Sequence, residues 1–262
     1  MNYKHGFSLV GMLISLLCVV VLSAIMMNSM NKTVTGNGEA APSSVWGMQN
    51  QIQLQTMVQG LIADSFGRNN DFLVPSDLSE SLDVQENTSA NFWSAMIAQN
   101  LTTPETLIAK GDNGWVETAS YSWRSINTRD GQYWDPNFST DFNTMSNVSY
   151  AHMPLYGERL KRWWRNDARG TFPIIGNRGP RDGQVQTDSF TLDKDGQWRG
   201  WVCYNDGSIK WQEQTETPIK WMRDDDMQSD NLFILEGGDN KDDTMFGITS
   251  EMTEDGPVFI WD

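Results

Sequence analysis

Residues 1–30 read MNYKHGFSLVGMLISLLCVVVLSAIMMNSM, and their reading decides what kind of molecule the rest of the chain can be. A leader carrying Lys4 and His5 ends at Gly6, and from Phe7 to Met30 there are 24 residues without a charge. As an α-helix this run is about 36 Å long, enough to cross a hydrocarbon core of about 30 Å. It holds twelve Phe, Leu, Ile or Val residues. Each favours insertion by about 0.3–0.6 kcal/mol, so the segment prefers the bilayer by about 5 kcal/mol. A secretory signal peptide is an alternative, because Val21-Leu22-Ser23 passes as a small-residue cleavage site. Its apolar region would be unusually long, and it leaves Gly6-Phe7 unexplained. A lipoprotein signal fits less well, since Leu17 precedes Cys18 where a small residue is expected. A plain membrane anchor is the remaining alternative.

Beyond the apolar run lie about 230 residues, within the range of one domain and enough to bury a substantial core. The whole chain has 19 Lys+Arg against 34 Asp+Glu, a net charge of −15. Such a surface repels phosphate backbones and anionic lipid headgroups, which argues against nucleic acid as a partner. The two cysteines, Cys18 in the apolar run and Cys203 in a strand-like run, cannot staple the fold. Twelve tryptophans is a high count, and several sit in alternating runs where core packing explains them.

Residues 31–42 (NKTVTGNGEAAP) have two glycines, a proline and no apolar periodicity, and read as a linker or helix break. Ser43 and Ser44 are good N-caps for a helix over roughly 45–67. Its apolar residues Trp46, Met48, Ile52, Leu54, Met57, Val58, Leu61, Ile62 and Phe66 fall mainly at three- and four-residue steps, and Gly67 ends it. A short helix is expected over 89–99. Thr102-Thr103-Pro104-Glu105 fits a capping box opening another. Residues 115–146 are polar, aromatic and rich in Asn, Asp and Gly, and read as an irregular surface insertion. After Asn147 the pattern turns to strands: VSYAHM, FPIIG, WRGWVCY, SIKWQ, PIKW, NLFIL and PVFIW. Asn205-Asp206-Gly207 is the best hairpin signal. Helices first and strands later predicts an α+β head, residues 43–262, with an antiparallel sheet covered by helix 45–67.

Gly6-Phe7-Ser8-Leu9-Val10 followed by an apolar helix resembles the processing site of type IV prepilins and type II secretion pseudopilins. Scattered later blocks resemble the large planctomycete-type group of prepilin-like proteins. These are NQIQLQTMVQGLIADSFGRNNDFLVPSDL, VSYAHMPLYG, FPIIGNRGP and DGQWRGWVCYNDGSIKW. LIAKGDN occupies the place of an apolar-Cys-Pro-x-Asp block but lacks its Cys and Pro. The resemblance implies a pilin-like fold in which a long N-terminal transmembrane helix (7–30) carries an exported α+β head. It implies a leader (1–6) that prepilin peptidase removes after Gly6, with methylation of Phe7. It further implies a protein of the cytoplasmic (inner) membrane, partnered by membrane lipid and by other pilin or pseudopilin subunits through the apolar helix. The family usually has a glutamate five residues into the mature chain, and here that position is Gly11. There the glutamate neutralises a neighbouring subunit's N-terminus when both are buried in the filament's helical core, where an unpaired charge costs several kcal/mol. Gly11 cannot do this, which suits a minor or tip subunit, or a processed protein that never polymerises.

Candidate chemistry is sparse. After cleavage the chain would keep one histidine, His152, read as a packed or surface residue rather than a catalytic one; nothing resembles a nucleophile elbow. The acidic clusters Asp224-Asp225-Asp226 and Glu236 to Asp243 read as solvated loops. Major pseudopilins hold calcium in a C-terminal loop, so Asp239, Asp242 and Asp243 are the candidate calcium ligands. RLKRWWR (159–165) is a basic-aromatic patch able to grip an acidic neighbour or a membrane interface. Its plainer reading is solvated Arg and Lys with one Trp packed inward. GNRGPRDG has no phosphate-binding spacing and reads as a loop. The expectation is therefore a structural subunit without catalytic activity and without an obligatory cofactor. A membrane-anchored or secreted module whose Trp-rich head binds a glycan or other extracellular ligand is the alternative, and an exported hydrolase comes third.

Overall fold

The computed structural model describes residues 45–112, 116–168, 172–180, 197–223, 226–235 and 243–261. The leader, the apolar helix 7–30, the linker 31–42 and the positions Gly6, Phe7, Gly11, Asp239 and Asp242 lie outside them. Among the described residues no helix is long and apolar enough to cross a membrane. What is described is a mixture of helices and antiparallel sheets, the α+β class expected for the head.

Helix α1 spans Val45–Ser65. At about 100° per residue, Asn50, Gln53, Leu54, Met57, Val58, Leu61 and Ser65 share one face, and all of them are buried. Three members of the expected stripe fall on the opposite face: Met48, Ile52 and Phe66 are 56%, 54% and 71% exposed. The sequence carries two apolar stripes on this helix, and only one is packed among the described residues. Polar members of the buried face are satisfied. Gln53 donates to the Ile108 carbonyl at 2.8 Å and accepts from the Tyr150 hydroxyl at 2.9 Å, while Asn50 accepts from the Lys110 N–H at 3.0 Å. A Cβ on Gly60 would overlap the Leu101 carbonyl, so that glycine permits the helix to approach the 101–110 segment. The chain turns out of α1 through Asn69 and Asn70, at φ 56° and 69°, rather than through Gly67.

Short helix α2 (Pro75–Leu78) leads to α3 (Ser89–Ala98), whose N-cap Thr88 accepts from the Asn91 N–H at 3.2 Å. Phe92, Trp93, Ala95, Met96 and Ile97 of α3 are all fully buried. The expected capping box does not form. Thr103 is the N-cap of a 3₁₀ turn at Pro104–Leu107, which places Thr106, not Glu105, where the box needs its carboxylate. The insertion is largely irregular, with one small hairpin, β1 (Thr140–Asp141) and β2 (Met145–Ser146), and it sinks Trp134 and Phe138 into the core.

Strands β3 (Tyr150–His152), β4 (Pro173–Asn177), β5 (Gly200–Tyr204) and β6 (Ile209–Gln212) form an antiparallel meander in that order. Helix α4 (Gly157–Trp163) interrupts the path from β3 to β4. Asn205-Asp206-Gly207 makes the β5–β6 turn, with Gly207 at φ 80° and Cys203 opposite Ile209. Helix α1 covers this sheet, and the indole of Trp201 on β5 donates to the Gly47 carbonyl at 2.9 Å. Two further hairpins follow, β7 (Glu216–Arg223) with β8 (Asp226–Asn231), and β9 (Ile248–Thr253) with β10 (Gly256–Ile260).

The strand reading of NLFIL needs correction: β8 is the polar DMQSDN before it, and Leu232 and Phe233 are core plugs in the following turn. An apolar run of this length fits a buried turn as well as a strand. Strand β9, ITSEMT, is too polar to stand out as a strand in sequence. The division of α1 into buried and outward stripes is testable by denaturant unfolding. Leu54→Ala is expected to cost about 2–5 kcal/mol, and Ile52→Ala to stay within about 0.5 kcal/mol.

Candidate functional site

Among the described residues, three buried polar clusters contain a histidine or an arginine. In the first, strand β3 delivers His152 into the interior with no exposure. Its Nδ1 faces the Met153 carbonyl at 2.7 Å and therefore carries the proton. Its Nε2 accepts from the Ser89 hydroxyl at 2.7 Å, and the same hydroxyl oxygen accepts from the Thr249 N–H at 2.8 Å. Rings of Phe92, Trp93 and Trp164 enclose the imidazole at centroid distances of 4.6, 5.7 and 6.1 Å. This Ser–His contact has the distance of a nucleophile–base pair, but Ser89 is fully buried and its hydroxyl is already used in both directions. Burial pushes the imidazole down from its usual 6.5 to about 4.

The second cluster holds Arg159, which the sequence places among solvated residues of the basic patch. It is 1% exposed. Its Nε donates to the Asp243 carbonyl at 2.6 Å and its Nη2 to the Asp243 carboxylate at 2.9 Å. Asp243, a candidate calcium ligand, is thus engaged by a guanidinium, while Asp239 and Asp242 lie outside the described residues. Among the described residues no group of three or more His, Cys, Asp or Glu side chains is placed to hold a metal. The rest of RLKRWWR divides as its plainer reading had it: Trp164 is buried and donates to the Leu73 carbonyl at 2.9 Å, while Lys161 and Arg162 are exposed.

The third cluster joins two sequence blocks that have no visible link in the chain. Arg178, in the loop after β4, grips the Asp112 carboxylate with both Nη atoms, at 2.7 and 2.9 Å. Both side chains are almost fully buried, and the guanidinium lies 4.3 Å from the Phe142 ring centroid. The adjacent Arg178 carbonyl accepts from the Trp198 indole at 3.0 Å, so the glycine-rich segment starts as packed structure rather than as an open loop. Nothing in the sequence distinguishes Arg159 and Arg178 from the chain's other cations. Their partners lie 84 and 66 residues away.

The described tryptophans are used mainly in packing. Trp93, Trp164, Trp198 and Trp201 are no more than 2% exposed, while Trp123 is 51% exposed. Compared with known proteins, the chain matches no family model, no curated protein and no solved structure.

Two measurements probe these clusters. The folded pKa of His152 is depressed, so the unfolded chain takes up a proton first as pH falls. The stability this residue contributes is present above about pH 6.5 and is lost as pH falls towards 4, at up to about 1.4 kcal/mol per pH unit and about 3 kcal/mol in all. Urea titrations across that window are expected to show this loss in the wild type and a smaller one in His152→Gln. Asp243→Ala leaves Arg159 charged and buried, so unfolding free energy is expected to fall by about 3–5 kcal/mol. Arg159→Met combined with Asp243→Leu is expected to cost less than that single change.

Proposed function

We propose that this chain is a pilin-like structural subunit with no catalytic activity of its own. It is cut by prepilin peptidase after Gly6, methylated at Phe7 and anchored in the cytoplasmic membrane by helix 7–30. Its head, residues 43–262, is exported to the periplasm or cell surface. The subunit takes part in a type II secretion pseudopilus or type IV pilus-like assembly through its apolar helix. The absence of a glutamate at Gly11 favours a minor or tip position, or a processed subunit that never polymerises, over that of the repeating subunit.

One observation carries the reading: Gly6-Phe7 stands directly before a charge-free run of membrane-spanning length. The α+β head agrees with it, since a 21-residue helix opens the described chain and lies on an antiparallel sheet. The burial of Trp93, Trp134, Trp164, Trp198 and Trp201 in the core favours this reading over a glycan-binding module. Intact-mass measurement of protein extracted from membranes tests the proposal. The expected species starts at an N-methylated Phe7, and deleting the peptidase is expected to leave a precursor retaining MNYKHG. Cleavage near Ser23, or an unprocessed Met1, would sink the proposal and return the chain to the signal-peptide or plain-anchor reading.

A further inference from the structure

Two features of one surface region have no role in the packing described above. The first is acidic and apolar. Between Arg68 and Lys110 the chain has no Lys or Arg. The segment from α2 onward presents Asp77, Glu80 and Asp83 to solvent, together with Leu82 at 75% and Val84 at 45% exposure. Glu80 and Leu82 sit at φ 58° and 56°, in the left-handed region that side chains seldom adopt. The turn is held there by its own hydrogen bonds. The Ser79 and Ser81 hydroxyls both donate to the Glu86 carboxylate, and Asp83 accepts from the Gln85 N–H at 2.9 Å. A large apolar side chain is therefore held out on an ordered turn, in a form that loses little entropy on being covered.

The second feature is basic and aromatic. On α4 the exposed Lys161 is bridged to Glu158 at 2.6 Å, Arg162 is exposed beside them, and Arg165 follows, half-exposed and 3.7 Å from the Asp71 carboxylate, so Arg162 is the cation this surface presents most openly. The Arg162 guanidinium lies 5.2 Å from the Trp163 ring centroid, and Trp163, half-buried, stacks on Phe172 at 4.9 Å with 6° between the planes. Two hydrogen bonds bring these features side by side. Phe72 N–H donates to the Trp164 carbonyl at 3.1 Å just before the acidic turn, and Asn87 Nδ2 donates to the Leu155 carbonyl at 3.3 Å just after it. The acidic segment is thus tied at both ends to the chain that flanks α4.

We propose that this surface docks a second copy of the chain in a two-fold contact, the acidic turn 77–86 of each copy lying on the basic helix α4 of the other. At −15 per chain, two copies repel in most orientations, so a stable contact must set cations against carboxylates. A patch with both signs side by side does this twice under a two-fold axis, because each half meets its complement. Leu82 then leaves water against Trp163, the kind of aromatic anchor that interface cores favour. An acidic peptide or an anionic membrane would engage only the basic half and leave Leu82 and Val84 in water. The contact requires only the folded head, so it stands or falls independently of processing after Gly6.

Sedimentation velocity on the full-length protein in detergent tests this. The expected result is a concentration-dependent dimer that weakens as NaCl rises from about 50 to about 500 mM. Arg162→Glu and Asp83→Lys are each expected to weaken it about tenfold or more. Mixing these two variants is expected to restore it, since one contact is then native and the other charge-swapped. Leu82→Ser, which changes no charge, is expected to weaken it as well, and thermal melts of all three variants establish that the head stays folded. A monomer at every concentration, a dimer indifferent to these changes, or failure to re-form on mixing would overturn the proposal. So would binding to phosphatidylserine vesicles that Arg162→Glu abolishes in a protein that never dimerises.

Discussion

The neutral imidazole of His152 holds together parts of the chain that have no other reason to meet. Its ring nitrogens and its backbone reach α3 through Ser89, the central sheet through β3, and the last hairpin through the paired backbone of Gly247 and the Thr249 amide that shares Ser89. Each link is a buried hydrogen bond in an aromatic surround, where leaving one partner unmade costs about 1–3 kcal/mol. Placement is therefore collective: a shift of α3 relative to β3 breaks the bond to Ser89 and disturbs the amide of Thr249 with it. The imidazole serves here because it offers one donor and one acceptor on opposite sides of a flat, largely apolar ring.

The two buried ion pairs extend the same logic to segments with little apolar material. Arg159 fixes the chain at Asp243 as it emerges towards β9, and Arg178 fixes Asp112 beneath the insertion. Buried pairs of this kind are weak contributors to net stability because desolvation offsets most of their attraction. Their value is in position, since a charged group at either site tolerates one partner and one geometry. The acidic composition helps to make this selective. With 34 carboxylates competing for 19 cations, a guanidinium has many possible partners in the unfolded chain, and in the head Arg159 is set against Asp243 and Arg178 against Asp112.

What could be read in advance was whatever depends on local pattern. The helix at 45–65, the helix at 89–98, the β5–β6 hairpin at Asn205-Asp206-Gly207 and most of the later strands follow from periodicity and turn chemistry. That His152 has no nucleophile elbow beside it was legible, but whether it is packed or at the surface was not, because its burial is set by Phe92, Trp93 and Trp164 from other elements. Choosing between two apolar stripes on α1 was not, because Leu54 and Ile52 differ only in what the rest of the fold places against them. Strand β9 and the polar β8 were hidden for the same reason, since hairpin pairing rather than alternation defines them. The ion pairs were out of reach because a cation's sequence neighbourhood does not encode a partner 84 residues away.

The position of Gly11 and the surface around α4 bear on one question, which is how far an assembly of this chain can grow. A repeating filament needs a heterologous contact, in which each subunit presents a different surface to the one above and the one below. In the pilin-like filament the resemblance suggests, the charge pairing that sets register in the filament core would supply such a contact, and Gly11 has no carboxylate with which to make it. A two-fold contact through turn 77–86 and α4 is of the other kind. It uses the same surface on both copies, so it is saturated by one partner and adds no further subunits. A chain with both properties is suited to a closed unit, either a pair of anchored heads or a terminal position on a fibre built from other subunits. If the proposed pilin-like assembly forms, the outward stripe of α1, with Met48, Ile52 and Phe66, would be apolar surface left for those other subunits to cover.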